Sequence, residues 1–418
     1  METCSERSLV RRMPFYYGWV IVVAGTIGLI MTQPGQSPVL SIFTDAFIRD
    51  LNISRSLTST LFTVGTVVGG MSLSFWGGRI DRHGPRRMVG VISALVGISC
   101  LYMAVVQNAW MLGVGYVLLR MLGAGALMLA SNNVINQWWE ARRGTMMGLS
   151  GVAFSLVGMG LFTNFVHALL QRFGWRSTYA ILGGMEILVM LPLGLLLFRD
   201  RPEDHGLQTD GKLHAPGGLG GKEQATDPWT RAEAVRTPAF WTAAISLAAT
   251  AMLGTGLYFH MVSIFESQGL SSDVAAAVYV PISVTSAVAQ LGSGYLADRV
   301  PIRILLAAGL VGMSVALGLA QVLFAAPLAI VYGVVLGVSN GITGTVSSIV
   351  WADYFGRRHL GSISGLAAMF SRVASALGPL PLAVAFDMGS GYATALRIEV
   401  VIPLLQVEHS QQQGRQTA

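Results

Sequence analysis

The sequence predicts an all-α integral membrane protein made of two repeated six-helix halves, with an incomplete twelfth helix. Of the 418 residues, 53% are hydrophobic and only 11% are Asp, Glu, Lys or Arg, whereas soluble domains carry about 25% charged residues. A soluble protein of this length has too little interior for so many apolar side chains, so lipid must be part of the solvent. Long apolar runs and an internal repeat are the other two observations that predict this fold.

Eleven apolar runs are each long enough for a helix to cross about 30 Å of hydrocarbon. They cover residues 17–43, 57–79, 88–107, 109–134, 145–168, 177–198, 238–265, 273–297, 303–324, 327–351 and 361–386. A twelfth run begins near Tyr392, but Arg397 and Glu399 interrupt it and Pro403 lies inside its apolar part. We therefore expect either an incomplete last helix or a reading frame that ends differently from that of its relatives.

Basic side chains concentrate in the loops after the even-numbered spans, and basic loops remain in the cytoplasm. The even loops and the N-terminus are therefore predicted to be cytoplasmic, in a multi-pass protein of the inner or plasma membrane. We interpret the first apolar run as a retained helix, because no cleavage site of small residues follows it. The polar, glycine-rich stretch 199–237 is then a cytoplasmic linker between an N-terminal half, residues 1–198, and a C-terminal half, residues 238–418.

The two halves resemble each other at one fixed offset. The segment Gly77–Arg82 (GGRIDR) returns as Gly294–Arg299 (GYLADR), which places Asp298 217 residues after Asp81 (298 − 81). The same offset separates Gly144 from Gly361 and Gly148 from Gly365, so the similarity is a true repeat. Both copies run in the same direction, which predicts an axis along the membrane normal and a cavity between the halves near the bilayer midplane.

The segment Gly77–Arg87 (GGRIDRHGPRR) resembles the signature of the major facilitator superfamily, in the loop between its second and third helices. The resemblance implies that this loop latches the two halves in the outward-facing state. Asp81 is suited to cap a helix start, and the arginines are suited to bind acidic side chains or anionic lipid. The plainer interpretation is that these charges only set the orientation. The expected latch residues from both repeats are Gly77, Asp81, Arg82, Gly84, Arg86, Arg87, Asp298, Arg299, Arg142, Arg143, Arg357 and Arg358.

Within the superfamily, residues 132–151 are similar to the monocarboxylate porters and their bacterial oxalate/formate-exchanger relatives. Trp138-Trp139, Arg142-Arg143-Gly144 and the glycine-rich stretch Gly148–Gly151 carry this resemblance. It implies transport of a small organic anion, a mono- or dicarboxylate, by alternating access. The sequence departs from those porters at their eighth-helix aspartate and arginine, which fall at Ser286 and Gln290, and at their first-helix lysine, which falls near Gln36. A strict lactate/proton mechanism is therefore not expected.

Arg372 lies about where the oxalate exchangers carry a lysine that faces the cavity, and a guanidinium there is suited to grip a carboxylate with two hydrogen bonds. Arg120 opens a segment, Arg120–Gly125, that resembles the superfamily's fourth-helix motif. An arginine inside a span usually faces a cavity or a partner, and a purely structural role is the alternative for both arginines. The candidate substrate contacts are Arg372, Arg120, Gln36, Gln290 and Asn133.

His260 and Glu266, in the seventh span, are the candidates for proton coupling, because a histidine titrates near neutral pH. The alternative is that His260 merely lies near the membrane interface. The expected partners are a small organic anion, the lipid bilayer and a coupling proton or counter-anion, and we expect a monomer.

Other classes of function fit the sequence less well. An exporter of amphipathic or drug-like compounds has the same fold, and the twelfth segment leaves open a non-transporting truncated product. The sequence has no metal-spaced cluster of His, Glu or Asp, no nucleophile elbow and no phosphate-binding loop, so we expect no enzyme activity, metal or cofactor. It also leaves no soluble basic module for nucleic acid.

Overall fold

The protein is helical throughout the part of the chain that the computed structural model describes, which is residues 10, 13–211, 229–323, 325–387, 392, 395–403 and 405–406. Ten helical segments in these residues are long and apolar enough to cross a membrane. They are α1 (Gly18–Ile42), α2 (Arg55–His83), α3 (Pro85–Ala104), α4 (Ala109–Trp138), α5 (Arg143–Leu197), α6 (Pro238–Ser267), α7 (Asp273–Ala297), α8 (Ile302–Leu319), α9 (Ala326–Phe355) and α10 (Leu360–Ala385). The predicted all-α membrane fold is confirmed.

One helical segment accounts for the difference between eleven predicted spans and ten observed segments. The predicted spans 145–168 and 177–198 both lie in α5, which turns at Gly174, where φ is 74° and ψ is 169°. Residues with a Cβ rarely adopt such a conformation, so glycine lets the chain turn without a loop. Of the predicted twelfth segment, residues 395–403 are helical, and the rest lies mostly outside the described residues.

The motif around Asp81 differs from its predicted position in a loop. Residues Gly77 to His83 continue α2, and the connection to α3 is the single residue Gly84, whose φ is 83°. A loop this short fixes the end of α2 relative to the start of α3. Asp81 therefore projects from a helix, and its position is set by the packing of that helix.

The chain folds into two compact units. The first contains Met1–Arg231 together with Trp351–Leu366, and the second contains Ala232–Val350 and Ala367–Ala418. The segment Trp351–Leu366, which belongs to the second sequence repeat, thus groups with the first unit. The division into halves at residues 198 and 238 stays a prediction from the repeat.

Each unit has its own apolar core. In the second unit, Leu257 of α6, Met313 of α8, Leu336 of α9 and Leu382 of α10 are fully buried. Large apolar side chains elsewhere face outward: Trp110, Leu188 and Phe259 are 85%, 76% and 73% exposed. Apolar surface of this kind is unfavourable in water and favourable against lipid tails, as expected of a membrane protein.

Candidate functional site

The first feature of the site is a break in α1. Regular α-helix ends at Ile30, a short turn covers Gln33–Gly35, and helix resumes at Ser37 after Gln36, whose backbone is extended. Pro34 and Pro38 cause the break, because proline has no N–H for the helical ladder and its ring crowds the preceding turn. Backbone groups freed at membrane depth need new partners.

Arg120, at the end of the first part of α4, supplies such a partner. Its guanidinium donates from Nη1 to the carbonyl oxygen of Gly35 at 3.0 Å, and from Nε to Oγ1 of Thr66 at 3.1 Å. A longer contact of 3.3 Å joins Nη1 to Oγ of Ser37, and the ring of Phe62 lies 5.1 Å from the guanidinium carbon. None of these acceptors is charged. Arg120 therefore holds the break in α1 and places a positive charge inside the first unit.

Two glutamines flank this break. Gln36 donates from Nε2 to Oγ1 of Thr32 at 3.1 Å. It directly follows Gly35, whose carbonyl oxygen accepts a hydrogen bond from Arg120, so the structure brings Gln36 and Arg120 to the same region. Gln33 is fully buried, and neither polar atom of its amide has a hydrogen-bond partner among the described residues. Sequence reasoning did not select Gln33, although its place beside Pro34 was a signal. Its buried amide is a further candidate for a polar ligand contact.

Asn133, also predicted as a substrate contact, lies elsewhere in the first unit. Its side chain is buried, and Oδ1 lies 3.5 Å from Oγ of Ser364. Ser364 is part of the Trp351–Leu366 segment. Asn133 thus lies against that segment, 13 residues (133 − 120) after Arg120 along α4.

The remaining candidate substrate contacts, Gln290 and Arg372, lie in the second unit. Gln290 is in α7, where its Nε2 lies 3.5 Å from Oγ of Ser286 and its backbone carbonyl accepts a hydrogen bond from Thr345 of α9. Arg372 is in α10, and its side chain is half-buried. Each unit therefore carries part of the predicted substrate-contact set.

His260 and Glu266, the candidates for proton coupling, differ in their surroundings. Nε2 of His260 lies 3.0 Å from the carbonyl oxygen of Pro379, and its Nδ1 lies 3.4 Å from the hydroxyl of Tyr392. Because a carbonyl only accepts, Nε2 carries the hydrogen, and in the neutral ring Nδ1 accepts from Tyr392. Glu266 is exposed near the end of α6. The structure thus buries His260 at the bend where α10 resumes at Pro379 and leaves Glu266 outside.

Two of the predicted latch residues, Gly77 and Asp81, lie against the start of α10. The carboxylate of Asp81 accepts hydrogen bonds from the backbone N–H groups of Gly361, at 2.7 Å, and Ser362, at 2.6 Å. A carboxylate at a helix N-terminus satisfies unpaired N–H groups and interacts favourably with the helix dipole. Gly77 lies against Gly361 so closely that a Cβ atom on Gly77 would overlap the Gly361 carbonyl group.

Arg357 makes the second connection in this region. It donates from Nη1 to the carbonyl oxygen of Gln137 at 2.6 Å, and the Gln137 amide donates to the Arg357 carbonyl oxygen at 2.7 Å. Its Nη2 lies 2.8 Å from Oε1 of Glu203. Arg143 is buried and donates to the carbonyl oxygen of Trp139, whereas Arg82, Arg87, Arg142 and Arg358 are exposed.

Arg86 connects the start of α3 to the end of α5 and to Asp200, which follows α5. Its backbone N–H donates to Oδ1 of Asp200 at 2.8 Å, and its Nε donates to the Leu195 carbonyl oxygen at 2.9 Å. Burial raises the pKa of Asp200, although the bond from Arg86 acts in the opposite direction. The remaining latch candidates, Asp298 and Arg299, lie in the second unit, where the Arg299 guanidinium carbon lies 3.5 Å from the centre of the Tyr295 ring.

Sequence reasoning missed the acidic residues that follow α5. Asp200, Glu203 and Asp210 each bind a group that lies far away in the sequence. The only signal was a run of acidic residues in a stretch whose composition is typical of a flexible linker.

Comparison with known proteins places this architecture in a family. The model of the Major Facilitator Superfamily matches residues 22–379. Escherichia coli (strain K12) has an uncharacterized MFS-type transporter, YhjX, that is 26% identical over 81% of this chain and 82% of its own length. Monocarboxylate transporter 11 of Mus musculus is 27% identical over 87% of this chain and 80% of its own length. The oxalate:formate antiporter of Oxalobacter formigenes is 24% identical over 61% of this chain and 57% of its own length.

A solved structure agrees with this assignment. The crystal structure of the human organic anion transporter MFSD10 (TETRAN) has a TM-score of 0.72 to this chain at 14% identity, and the match covers 96% of this chain and all of that one. At this identity the likeness shows the fold alone. The predicted resemblance to the superfamily, and to its monocarboxylate and oxalate/formate group, is confirmed. The chain belongs to the Major Facilitator Superfamily and is a membrane transporter.

Proposed function

We propose that this protein is a secondary active transporter that moves a small organic anion, a mono- or dicarboxylate, across the cell membrane by alternating access. The observation that carries the proposal is that each unit places an arginine in a membrane-spanning helix, Arg120 in α4 and Arg372 in α10. Charged side chains in a membrane are costly, and they are typical of helices that handle an ion or a charged substrate.

The two arginines have different proposed roles. Arg120 donates to the broken backbone of α1 and so fixes Gln36 beside it, while its charge adds to the positive field. Arg372 is the proposed carboxylate ligand, because a planar guanidinium donates two parallel hydrogen bonds to a carboxylate. Gln290 and Asn133 are proposed as polar contacts, and the names of the monocarboxylate and oxalate relatives support this substrate class.

The latch and the proton-coupling residues complete the proposed cycle. The bonds from Gly361 and Ser362 to Asp81 hold one side of the transporter closed, and they must break when that side opens. His260, the proposed proton-coupling residue of α6, contacts α10 through its Nε2 and the Pro379 carbonyl oxygen, so its hydrogen bonding is tied to the packing of these two helices. The loops after the even-numbered spans and the N-terminus face the cytoplasm in this proposal.

A thermal-shift screen of the purified protein against mono- and dicarboxylates tests the substrate class. A ligand that binds only the folded state stabilises it by about 2.7 kcal/mol at 100 times its Kd. We expect carboxylates to raise the Tm of the parent, and we expect Arg372→Ala to lose most of this response. Arg303→Ala, which removes an exposed arginine of the second unit, is the matched control and should respond as the parent does.

Three outcomes would contradict the proposal. If no carboxylate stabilises the parent, the substrate class is wrong, and stabilisation by amphipathic compounds would favour an exporter. If Arg372→Ala responds as the parent does, Arg372 is structural. If a stabilising carboxylate is not taken up by proteoliposomes containing the protein, the chain binds without transporting.

A further inference from the structure

The segment Arg199–Gly211, which follows α5 directly, is bound to the first unit through its acidic side chains. Its first contact is Asp200, whose Oδ1 accepts the backbone N–H of Arg86 at 2.8 Å, in the first turn of α3. Gly84 makes room for this carboxylate, since a Cβ there would lie 2.6 Å from Asp200. The beginning of the segment is thereby fixed to the connection between α2 and α3.

Asp210 fixes the C-terminal end of the segment Arg199–Gly211. Its carboxylate accepts backbone N–H groups just before α5 begins, from Ala141 at 2.8 Å and from Glu140 and Arg142 at 3.3 Å each. Asp210 has a φ of 59°, a conformation that side chains with a Cβ rarely adopt. Three charge-assisted hydrogen bonds offset the cost of this backbone and keep Asp210 at the start of α5.

The middle of the segment lies against an aromatic side chain. Trp138 donates from Nε1 to the Arg199 carbonyl oxygen at 3.0 Å, and the buried ring of His205 stacks on Trp138 with centroids 6.5 Å apart. Glu203 opens the short turn Glu203–His205 between these two contacts. The backbone that carries Glu203 is therefore held on both sides.

Glu203 binds a residue of the second sequence repeat. Its Oε1 lies 2.8 Å from Nη2 of Arg357, in the segment Trp351–Leu366. The Asp200 and Asp210 bonds stay within residues 86–210. The side chains of Arg357 and Glu203 are 26% and 47% exposed, and exposed pairs are weak enough to break and re-form repeatedly.

We propose that Arg199–Gly211 is a strap built into the linker, and that Glu203 is a positioning residue of the gate, acting through Arg357. Asp200 and Asp210 hold the strap to the first unit throughout the cycle. Glu203 directs the Arg357 side chain so that its other nitrogen bonds Gln137, and this holds Trp351–Leu366 in place. The side of the transporter that the Asp81 latch closes can then open only when the bond between Glu203 and Arg357 breaks. The inference rests on the proposed alternating access but not on the identity of the substrate.

Cysteine labelling at Ser364 tests the strap. Ser364 lies in the Trp351–Leu366 segment and is 8% exposed, with its hydroxyl bonded to the Leu360 carbonyl oxygen. The parent has two cysteines, so C4S and C100S give a background without thiols. In that background the thiol of S364C reacts with a membrane-impermeant maleimide only when the segment leaves the first unit, and the rate reports the open fraction in the absence of substrate.

We expect Glu203→Gln to raise the labelling rate of S364C by about two- to fivefold, the range for an exposed ion pair. Arg357→Gln should raise it at least as much, because it also loses the bond to Gln137. Combining the two should give no more than Arg357→Gln alone, and the charge exchange E203R with R357E should return the rate toward that of the parent. Asp45→Asn breaks an ion pair of 2.6 Å with Arg55 that does not involve Trp351–Leu366, and should leave the rate unchanged.

The strap is excluded if Glu203→Gln leaves the labelling rate of S364C at the parental value. It is also excluded if Glu203→Gln raises that rate equally in the parent and in Arg357→Gln. Melting curves by circular dichroism identify any variant that is misfolded, and the charge-exchange pair keeps the test decisive in that case. Because labelling needs no substrate, failure here leaves the transport proposal standing, and failure of the carboxylate screen leaves the strap standing.

Discussion

At the residue scale, two adjacent glycines of the superfamily motif have different surroundings. A Cβ on Gly77 would overlap the Gly361 carbonyl group, whereas a Cβ on Gly78 would have no neighbour within 4 Å. In the sequence, both are glycines of the same motif, and nothing distinguishes them. Only the packing of α2 against the start of α10 shows that Gly77 allows Asp81 to reach the N–H groups of Gly361 and Ser362.

We therefore predict opposite effects of alanine at these two positions. Gly77→Ala should weaken the latch by about 1–3 kcal/mol, the usual cost of overpacking a tight contact, and raise the labelling rate of S364C by about fivefold or more. Gly78→Ala should leave the labelling rate unchanged and stabilise α2 slightly, since alanine favours helix over glycine by about 1 kcal/mol. Equal labelling of the two variants would show that the contact at Gly77 does not hold the segment.

Some residues that form long-range hydrogen bonds lie in a recognisable sequence motif and can be predicted, whereas others lie in no motif. Asp81 was predicted because a superfamily signature surrounds it, and its partners lie 280 and 281 residues away. Glu203 bonds a residue 154 positions away, in a stretch that looks like an ordinary linker. Composition describes how a segment interacts with solvent on average, and it contains no information about which distant N–H group a carboxylate will meet.

At the element scale, the break in α1 shows how local and distant causes combine. Pro34 and Pro38 predict a broken helix from covalent chemistry alone. The partner that makes the break tolerable in a membrane is Arg120, 85 residues from the Gly35 carbonyl that it binds. The π-helical turn Leu122–Leu127 follows in α4, and a Cβ atom added to its Gly123 would lie 3.4 Å from the backbone of Gly35. The geometry of one helix is thus fixed by the irregularity of another.

Arg120→Lys should show whether this support is needed. Lysine keeps the charge but lacks the planar fork that reaches Gly35 and Thr66 together, so we expect a loss of about 1.5–3 kcal/mol of stability, measured by thermal unfolding. Arg55→Lys, at an exposed pair, is the control and should cost less than about 0.5 kcal/mol. If Arg120→Lys melts with the parent but loses its response to carboxylates, Arg120 binds substrate instead of supporting the break.

At the scale of the whole molecule, the repeat and the compact units describe different things. The repeat divides the chain by sequence similarity, whereas the units divide it by packing. By similarity, Trp351–Leu366 belongs to the second repeat, and by packing it belongs to the first unit. A segment shared in this way is suited to a gate, because it belongs to the second sequence repeat and is held by side chains of the first repeat.

The charge distribution predicts the orientation of the molecule. An epitope inserted after Gly218, in the linker, and a second one at the N-terminus should both be digested by protease only from the cytoplasmic side. An epitope inserted after Asn52, between α1 and α2, should be digested only from the outside. A linker epitope that is cleaved from outside intact cells would reverse the assignment, along with the side that the latch closes.

The sequence by itself determined the membrane class, the spans, the repeat and the superfamily, because hydropathy, proline positions and motif spacing are local properties that add up along the chain. Tertiary structure alone decided what each candidate residue contacts. Arg120 binds backbone at the break in α1, His260 lies at the bend of α10, and the acidic residues after α5 hold three distant elements. Those contacts depend on how helices pack, and packing brings together residues that no local pattern relates.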